Sequence, residues 1–152
     1  MKPEKEAAGG AYEALRLDRQ LCFPLYAASR AVIRLYHPAL SALDLTYTQY
    51  ITMMALWEKT PQKVTDLCRR LWLDTGTLTP LLKTLEKKGL VCRSRSEEDE
   101  RSVSVALTAA GEALREQAQA IPAQVGACIP LEPQRAQQLY ELLYELLEAQ
   151  KK

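Results

Sequence analysis

Histidine, phenylalanine and paired cysteines are scarce in this chain. It holds one histidine, His37, one phenylalanine, Phe23, and four cysteines, Cys22, Cys68, Cys92 and Cys128, with no CxxC pair. Thiols this far apart and a single imidazole do not make a usual Cys/His zinc site, so neither metal nor cofactor is expected. A disulfide framework is foreign to a cytosolic chain of this size. No run approaches the ~18 apolar residues of a membrane span. The first ten residues are charged and lack the apolar stretch of a secretory signal. A cytoplasmic protein without a membrane partner is expected.

A charge excess is missing too: the net charge is +1. That total hides a segregated pattern, which matters more for a nucleic-acid partner than the sum does. Between Lys63 and Arg95 stand eight cationic side chains against three anionic ones, whereas Glu132–Gln150 carries four glutamates against Arg135. With 152 residues and 47% hydrophobic content, the chain can bury a core, and wholesale disorder is excluded.

Periodicity orders the chain. Residues 1–14 read as a flexible arm. Leu21, Leu25, Ala28, Val32 and Leu35 form one helical stripe. Pro24 either starts that helix or bends it, and Pro38 is expected to end it. Tyr50, Met53, Met54 and Trp57 mark a second helix over Thr48–Lys59. Val64, Leu67, Cys68 and Leu71 mark a third, which puts Cys68 in the core. Asp74 caps a fourth with Leu78, Leu81, Leu82 and Leu85 inside and Gly89 closing it; Pro80 is read as lying near its first turn. Residues 90–95 and 102–107 alternate as strands around the polar tip Ser96–Arg101. Thr108 caps a fifth helix that Pro122 interrupts, and Glu132-Pro133 opens a sixth with a leucine stripe from Leu139 to Leu147.

This order predicts a mainly α fold with a small β-hairpin, a winged helix-turn-helix over about residues 45–108. It sits within one domain, 15–152, flanked by long helices over about 15–38 and 109–150. Their apolar stripes exceed what a small core covers and predict a homodimer.

Two constellations point to double-stranded DNA. Thr75, Gly76, Thr77 and Thr79 place small groups at a helix start that can enter a major groove, with Lys83 further along. Arg93, Arg95 and Arg101 flank the hairpin tip, where arginine suits a narrow minor groove and Asp99 can hold a guanidinium in place. The acids Glu97, Glu98 and Glu100 oppose this, and a solvated turn with internal ion pairs is the plain alternative.

Leu73-Asp74-Thr75-Gly76-Thr77-Leu78-Thr79-Pro80-Leu81-Leu82-Lys83, then Gly89-Leu90-Val91, then Ser96-Glu97-Glu98-Asp99-Glu100-Arg101-Ser102 resemble the MarR family of winged-helix repressors. Leu17-Asp18-Arg19-Gln20-Leu21-Cys22-Phe23 and Leu45-Thr46-Tyr47-Thr48-Gln49-Tyr50 are similar to its organic-hydroperoxide-sensing branch. The resemblance spans about residues 15–125. It implies a repressor that leaves a pseudo-palindromic operator when organic hydroperoxides oxidise Cys22 to a sulfenic acid. It also implies that Tyr36 and Tyr47 support the thiolate from a second subunit, and that Cys128 resolves the sulfenic acid. Tyr26, one turn beyond Cys22, is within reach inside the chain. If Pro24 starts the helix, Cys22 lies at its partly positive end, which favours a thiolate.

Two other readings share these residues. A reversible phenolic or drug-like ligand could occupy a pocket of Tyr26, Tyr36, Tyr47 and Trp57. A thiol peroxidase on Cys22 and Cys128 would leave the hairpin without a purpose. Outside the resemblance, a lone cysteine on an amphipathic helix is ordinarily a small buried hydrophobe.

Overall fold

The structure, a computed structural model, describes residues 12–95 and 102–150. Two short 3₁₀ turns, Glu13–Leu15 and Leu17–Arg19, lead into α1 (Cys22–Ala42). Then come α2 (Tyr47–Glu58), β1 (Gln62–Lys63), α3 (Val64–Leu71), α4 (Thr75–Lys87), β2 (Val91–Arg95), β3 (Val103–Leu107), α5 (Ala109–Ala118), α6 (Ile121–Gly126) and α7 (Pro133–Glu148). The chain forms two compact units, Met1–Ala118 and Gln119–Lys152. Among the described residues no helix is long and apolar enough to cross a membrane.

Helix ends in the first unit follow local chemistry. Thr46 Oγ1 accepts from Gln49 N while Gln49 Oε1 accepts from Thr46 N, a reciprocal cap that starts α2. At the end of α4, Leu90 N bonds Leu85 O, Gly89 N bonds Glu86 O, and Gly89 takes φ 73°. That is a Schellman termination, where a residue without Cβ is favoured. The turn after α1 repeats it with Asp44 in the left-handed region at φ 53°.

Met53, Leu56, Leu67, Leu78, Leu82, Leu85, Val91 and Val105 are fully buried. They come from α2, α3, α4 and the sheet, so the core is that of the helix-turn-helix. The sheet has the order β1-β3-β2, all antiparallel, with Val91 opposite Leu107 and Gln62 opposite Val105. Gln62 Nε2 donates to Ala55 O and Lys59 O, both at 2.6 Å, and satisfies the end of α2.

Four expectations are corrected. The helix does not stop before Pro38: α1 runs through it to Ala42, losing one backbone donor but not its continuity. Pro80 lies at the sixth position of α4, beyond the first turn, so the Gly76 carbonyl receives no amide from it. Pro122 opens a helix of its own, α6, instead of simply interrupting α5. Cys68 is half-buried, its Sγ 3.8 Å from Thr75 Oγ1, and is not core.

α1 buries only Leu40 along its length. Leu21, Phe23, Tyr26, Ile33 and Leu35 stay exposed, so its apolar stripe is left largely open among the described residues of the first unit. In the second unit, Ile121 and Val125 of α6 are buried, whereas α7 buries none of its residues.

Candidate functional site

Asp74 builds the start of α4. Its Oδ1 accepts from Thr77 N and its Oδ2 from Thr77 Oγ1, each at 2.8 Å. These bonds, the hydroxyl's first, hold the Asp74 carboxyl below its ordinary range. Thr75, Gly76 and Lys83 are exposed, Thr79 is half-buried, and Thr77 is exposed with its hydroxyl proton committed to Asp74. Thr75 and Thr79 line a cleft of about 170 Å³ with Val64, Thr65, Leu82, Arg93, Ser102 and Val103. The polar start of α4 therefore opens beside the hairpin, as a groove-reading helix requires.

The hairpin arginines have different surroundings. Arg93 grips Glu86: its backbone N donates to Oε1 at 3.0 Å, and its Nε and Nη2 donate to Oε2 at 3.0 and 2.7 Å. The Arg93 contacts hold the Glu86 carboxyl below its ordinary range. Arg93 thus ties the last turn of α4 to β2. Arg95 is exposed at the end of β2. Asp99 and Arg101 lie outside the described residues.

Cys22 is the first residue of α1 and is exposed, with Pro24 inside the first turn. Tyr26 lies one turn on, where its hydroxyl accepts from Arg30 Nη1 at 2.5 Å and its ring lies 5.4 Å from the Arg30 guanidinium carbon. Tyr36 sits on the same continuous helix, 14 residues from Cys22, or ~21 Å along the axis at 1.5 Å per residue. Its ring packs edge-on to Tyr47 at 5.0 Å and tilted to Tyr50 at 5.8 Å, and Tyr50 meets Trp57 at 6.4 Å. Burial, followed by the neighbouring Tyr36, raises Tyr47 and Tyr50 above the ordinary phenol range. Both keep their protons at neutral pH and remain donors.

Cys128 follows α6 in the second unit, exposed, its Sγ 3.5 Å from Gln124 O. Cys92 is exposed on β2 with its Sγ 3.7 Å from Ala106 O. Among the described residues no three of His, Cys, Asp and Glu gather as a metal site. Of the pocket expected from the sequence, Tyr26, Tyr36, Tyr47 and Trp57, the structure brings Tyr36, Tyr47 and Trp57 together through Tyr50, which that expectation missed. It places Tyr26 against Arg30 instead. The helical spacing from Tyr47 through Tyr50 to Trp57 carried that signal. Sequence reasoning also missed Glu86 as the partner of Arg93.

A capped helix with a small polar start, packed on a helix-turn-helix and followed by a hairpin, defines a winged-helix DNA-reading module. Similarity to known proteins makes it more specific. The family model for the transcriptional regulator SarA/Rot matches residues 34–120. An organic hydroperoxide resistance transcriptional regulator of Bacillus subtilis (strain 168) is 45% identical over 140 residues, 90% of this chain and 93% of the relative's. The crystal structure of AbfR of Staphylococcus epidermidis aligns with a TM-score of 0.70 at 35% identity, covering 91% of this chain and 97% of that one. Reduced AbfR bound to DNA aligns at 0.73 with 35% identity, covering 90% and 95%. Disulfide-formed AbfR aligns at 0.62 with 36% identity, covering 89% and 95%. The chain belongs to the MarR family of transcriptional regulators, in the branch of OhrR- and AbfR-like redox sensors. Its matched relatives are transcriptional regulators.

Proposed function

We propose that this chain is a homodimeric repressor that binds a pseudo-palindromic operator and releases it when an organic hydroperoxide oxidises Cys22. One observation carries the reading. The exposed thiol and the Tyr36–Tyr47 pair stand on the same α1–α2 arm but some 21 Å apart along α1. Thiol and phenols meet only if a second copy brings its tyrosines to this Cys22. The uncovered apolar stripe of α1, with Phe23 and Ile33 exposed, supports such a copy.

In the chemical step the Cys22 thiolate attacks the O–O bond. Sulfur loses two electrons and gains oxygen, the peroxide leaves as its alcohol after taking a proton, and sulfenic acid remains. Protonated Tyr36 and Tyr47 stabilise the thiolate by donating to it. A second thiol, for which Cys128 is the candidate, condenses with the sulfenic acid to a disulfide and water. In the DNA complex Thr75, Gly76, Thr77 and Thr79 meet base edges or phosphate and Lys83 neutralises a phosphate. Arg95 and Arg101 approach the minor groove, Asp99 holds a guanidinium, and Arg93 positions the wing through Glu86. The arrangement supports a shift from binding-competent to incompetent dimers.

The test is operator retention at fixed salt. Wild type and Cys22→Ser are titrated with cumene hydroperoxide and then dithiothreitol. Wild type is expected to release and rebind, and Cys22→Ser to stay bound. Retention by both supports a reversible ligand in place of oxidation.

A further inference from the structure

Lys88 closes the recognition helix but makes none of its polar side-chain contacts there. As the C-cap of α4, it sends its ammonium to two places on the sensing side of the first unit. One is the α1–α2 turn, where Nζ donates to the Asp44 carbonyl and lies 3.1 Å from Asp44 Oδ2. The other is Gln49 Oε1, at 3.3 Å. That oxygen also accepts from Thr46 N at 3.1 Å and so belongs to the cap of α2. The first residue after the cap is Tyr47, one of the two phenols assigned to the thiolate. Gln49 is 6% exposed, so its amide has little water to substitute for a lost partner.

One oxygen therefore joins the cap that positions Tyr47 to the end of the helix that reads DNA. We propose that Lys88 is the positioning residue that couples the state of Cys22 to the placement of α4; this rests on the oxidation-driven release proposed above. Oxidation at Cys22 displaces the Tyr47 end of α2 in the facing copy. The Thr46–Gln49 cap moves with it, and the Lys88 bonds to Gln49 and Asp44 draw the C-terminus of α4 out of its operator register. The bonds are charge-assisted, and the Lys88 side chain is three-quarters shielded from solvent while the Asp44 carboxylate is exposed. The left-handed turn at Asp44 and the Leu45 N–Leu40 O bond set the Asp44 carbonyl within the α1–α2 turn, so it shifts with the cap that follows it.

Coupling is read as the ratio of operator Kd in the oxidised state to that in the reduced state, using full-length wild type, Lys88→Met, Lys88→Arg and Asp44→Asn. Cys22 oxidation by cumene hydroperoxide is followed separately by thiol titration. Lys88→Met keeps most of the aliphatic stem but no charge. It is expected to oxidise at the wild-type rate and to lose most of the ratio, by a factor on the order of ten. Lys88→Arg keeps a cation for the same acceptors and retains most of it. Asp44→Asn tolerates the left-handed turn and loses part of it, which keeps the test decisive if Lys88→Met does not fold. Ratios in Lys88→Met or Asp44→Asn equal to wild type overturn the proposal. So does a Lys88→Arg as uncoupled as Lys88→Met. A wild type whose Cys22 oxidises without changing operator affinity instead removes the oxidation reading, and the coupling role with it.

Discussion

Trp57 Nε1 donates to the carbonyl oxygen of Gly111 at 2.8 Å, across 54 residues of sequence. The bond holds the first turn of α5 against α2, and Gly111 in turn meets the junction between α4 and β2. A Cβ on Gly111 would lie 2.0 Å from Leu90 O, a backbone atom with no freedom to move aside. Thr108 reinforces the junction: its N donates to Leu90 O at 3.1 Å and its hydroxyl to Gly89 O at 2.5 Å.

Gly111→Ala is therefore expected to destabilise the protein by roughly 1–3 kcal/mol, the usual cost of overpacking. Operator affinity should fall as well, because the displaced Leu90 joins the recognition helix to the wing. Thermal melting and DNA titration check both effects. Trp57→Phe keeps an aromatic ring but loses the donor and part of the indole's packing, at a cost of at least about 1 kcal/mol for the hydrogen bond. Equal stability of wild type and Gly111→Ala would mean that α5 does not pack where this geometry puts it.

The Glu86–Arg93 pair predicts a pH effect with a definite sign. Glu86 has a lower value folded than unfolded. Its contribution is thus present above the ordinary glutamate range and fades as pH falls through the folded value. Wild type should lose stability below about pH 4.5 more steeply than Glu86→Gln. At neutral pH, Glu86→Gln should weaken operator binding by loosening the wing while leaving the salt slope unchanged. Arg95→Ala, by contrast, should reduce that slope by about one if Arg95 meets a phosphate.

Much of this was legible in the chain. Asp74 before small residues, and Gly89 after a leucine stripe, marked both ends of α4 because a cap and a left-handed C-terminus each demand a narrow set of side chains. The strands of the hairpin showed in their alternation. β1 did not, since two residues, Gln62 and Lys63, are too few to set a period. Pro38 misled because proline was read as a stop, whereas packing and the rest of the hydrogen-bond ladder carry α1 past it. Partnerships such as Glu86 with Arg93, or Lys88 with Asp44 and Gln49, depend on how helices cross. No local pattern encodes them. The exposed stripe of α1 was legible as a surface in need of a partner, yet the place of Tyr50 inside the tyrosine cluster and of Tyr26 outside it emerged only when α1 and α2 were seen together.

The tyrosine cluster predicts an alkaline signature. Tyr47 and Tyr50 are raised by burial and by Tyr36, so they should ionise later than the ordinary phenol value of about 10. Deprotonation is easier in the unfolded chain. Stability should therefore decline as pH rises above that value. Phenolate absorbance should show a late component that diminishes in Tyr47→Phe and again in Tyr47→Phe/Tyr50→Phe. A titration in which every tyrosine ionises together near 10 would contradict the packing of Tyr36, Tyr47 and Tyr50.

The fate of oxidised Cys22 can be separated from its formation through Cys128. A sulfenic acid without a resolving thiol meets further peroxide and proceeds to sulfinic and sulfonic acids, which dithiothreitol does not reverse. Wild type treated with one equivalent of hydroperoxide should give a disulfide and recover DNA binding on reduction. Cys128→Ser should gain two or three oxygens at Cys22 by mass spectrometry under excess peroxide, and its release of DNA should then be permanent. Non-reducing electrophoresis distinguishes the geometry. A covalent dimer band means that Cys22 and Cys128 of different copies join, and an intact monomer band with a lost thiol pair means that they join within one chain. If Cys128→Ser remains fully reversible, Cys128 is not the resolving thiol, and a small-molecule thiol from solution takes that part.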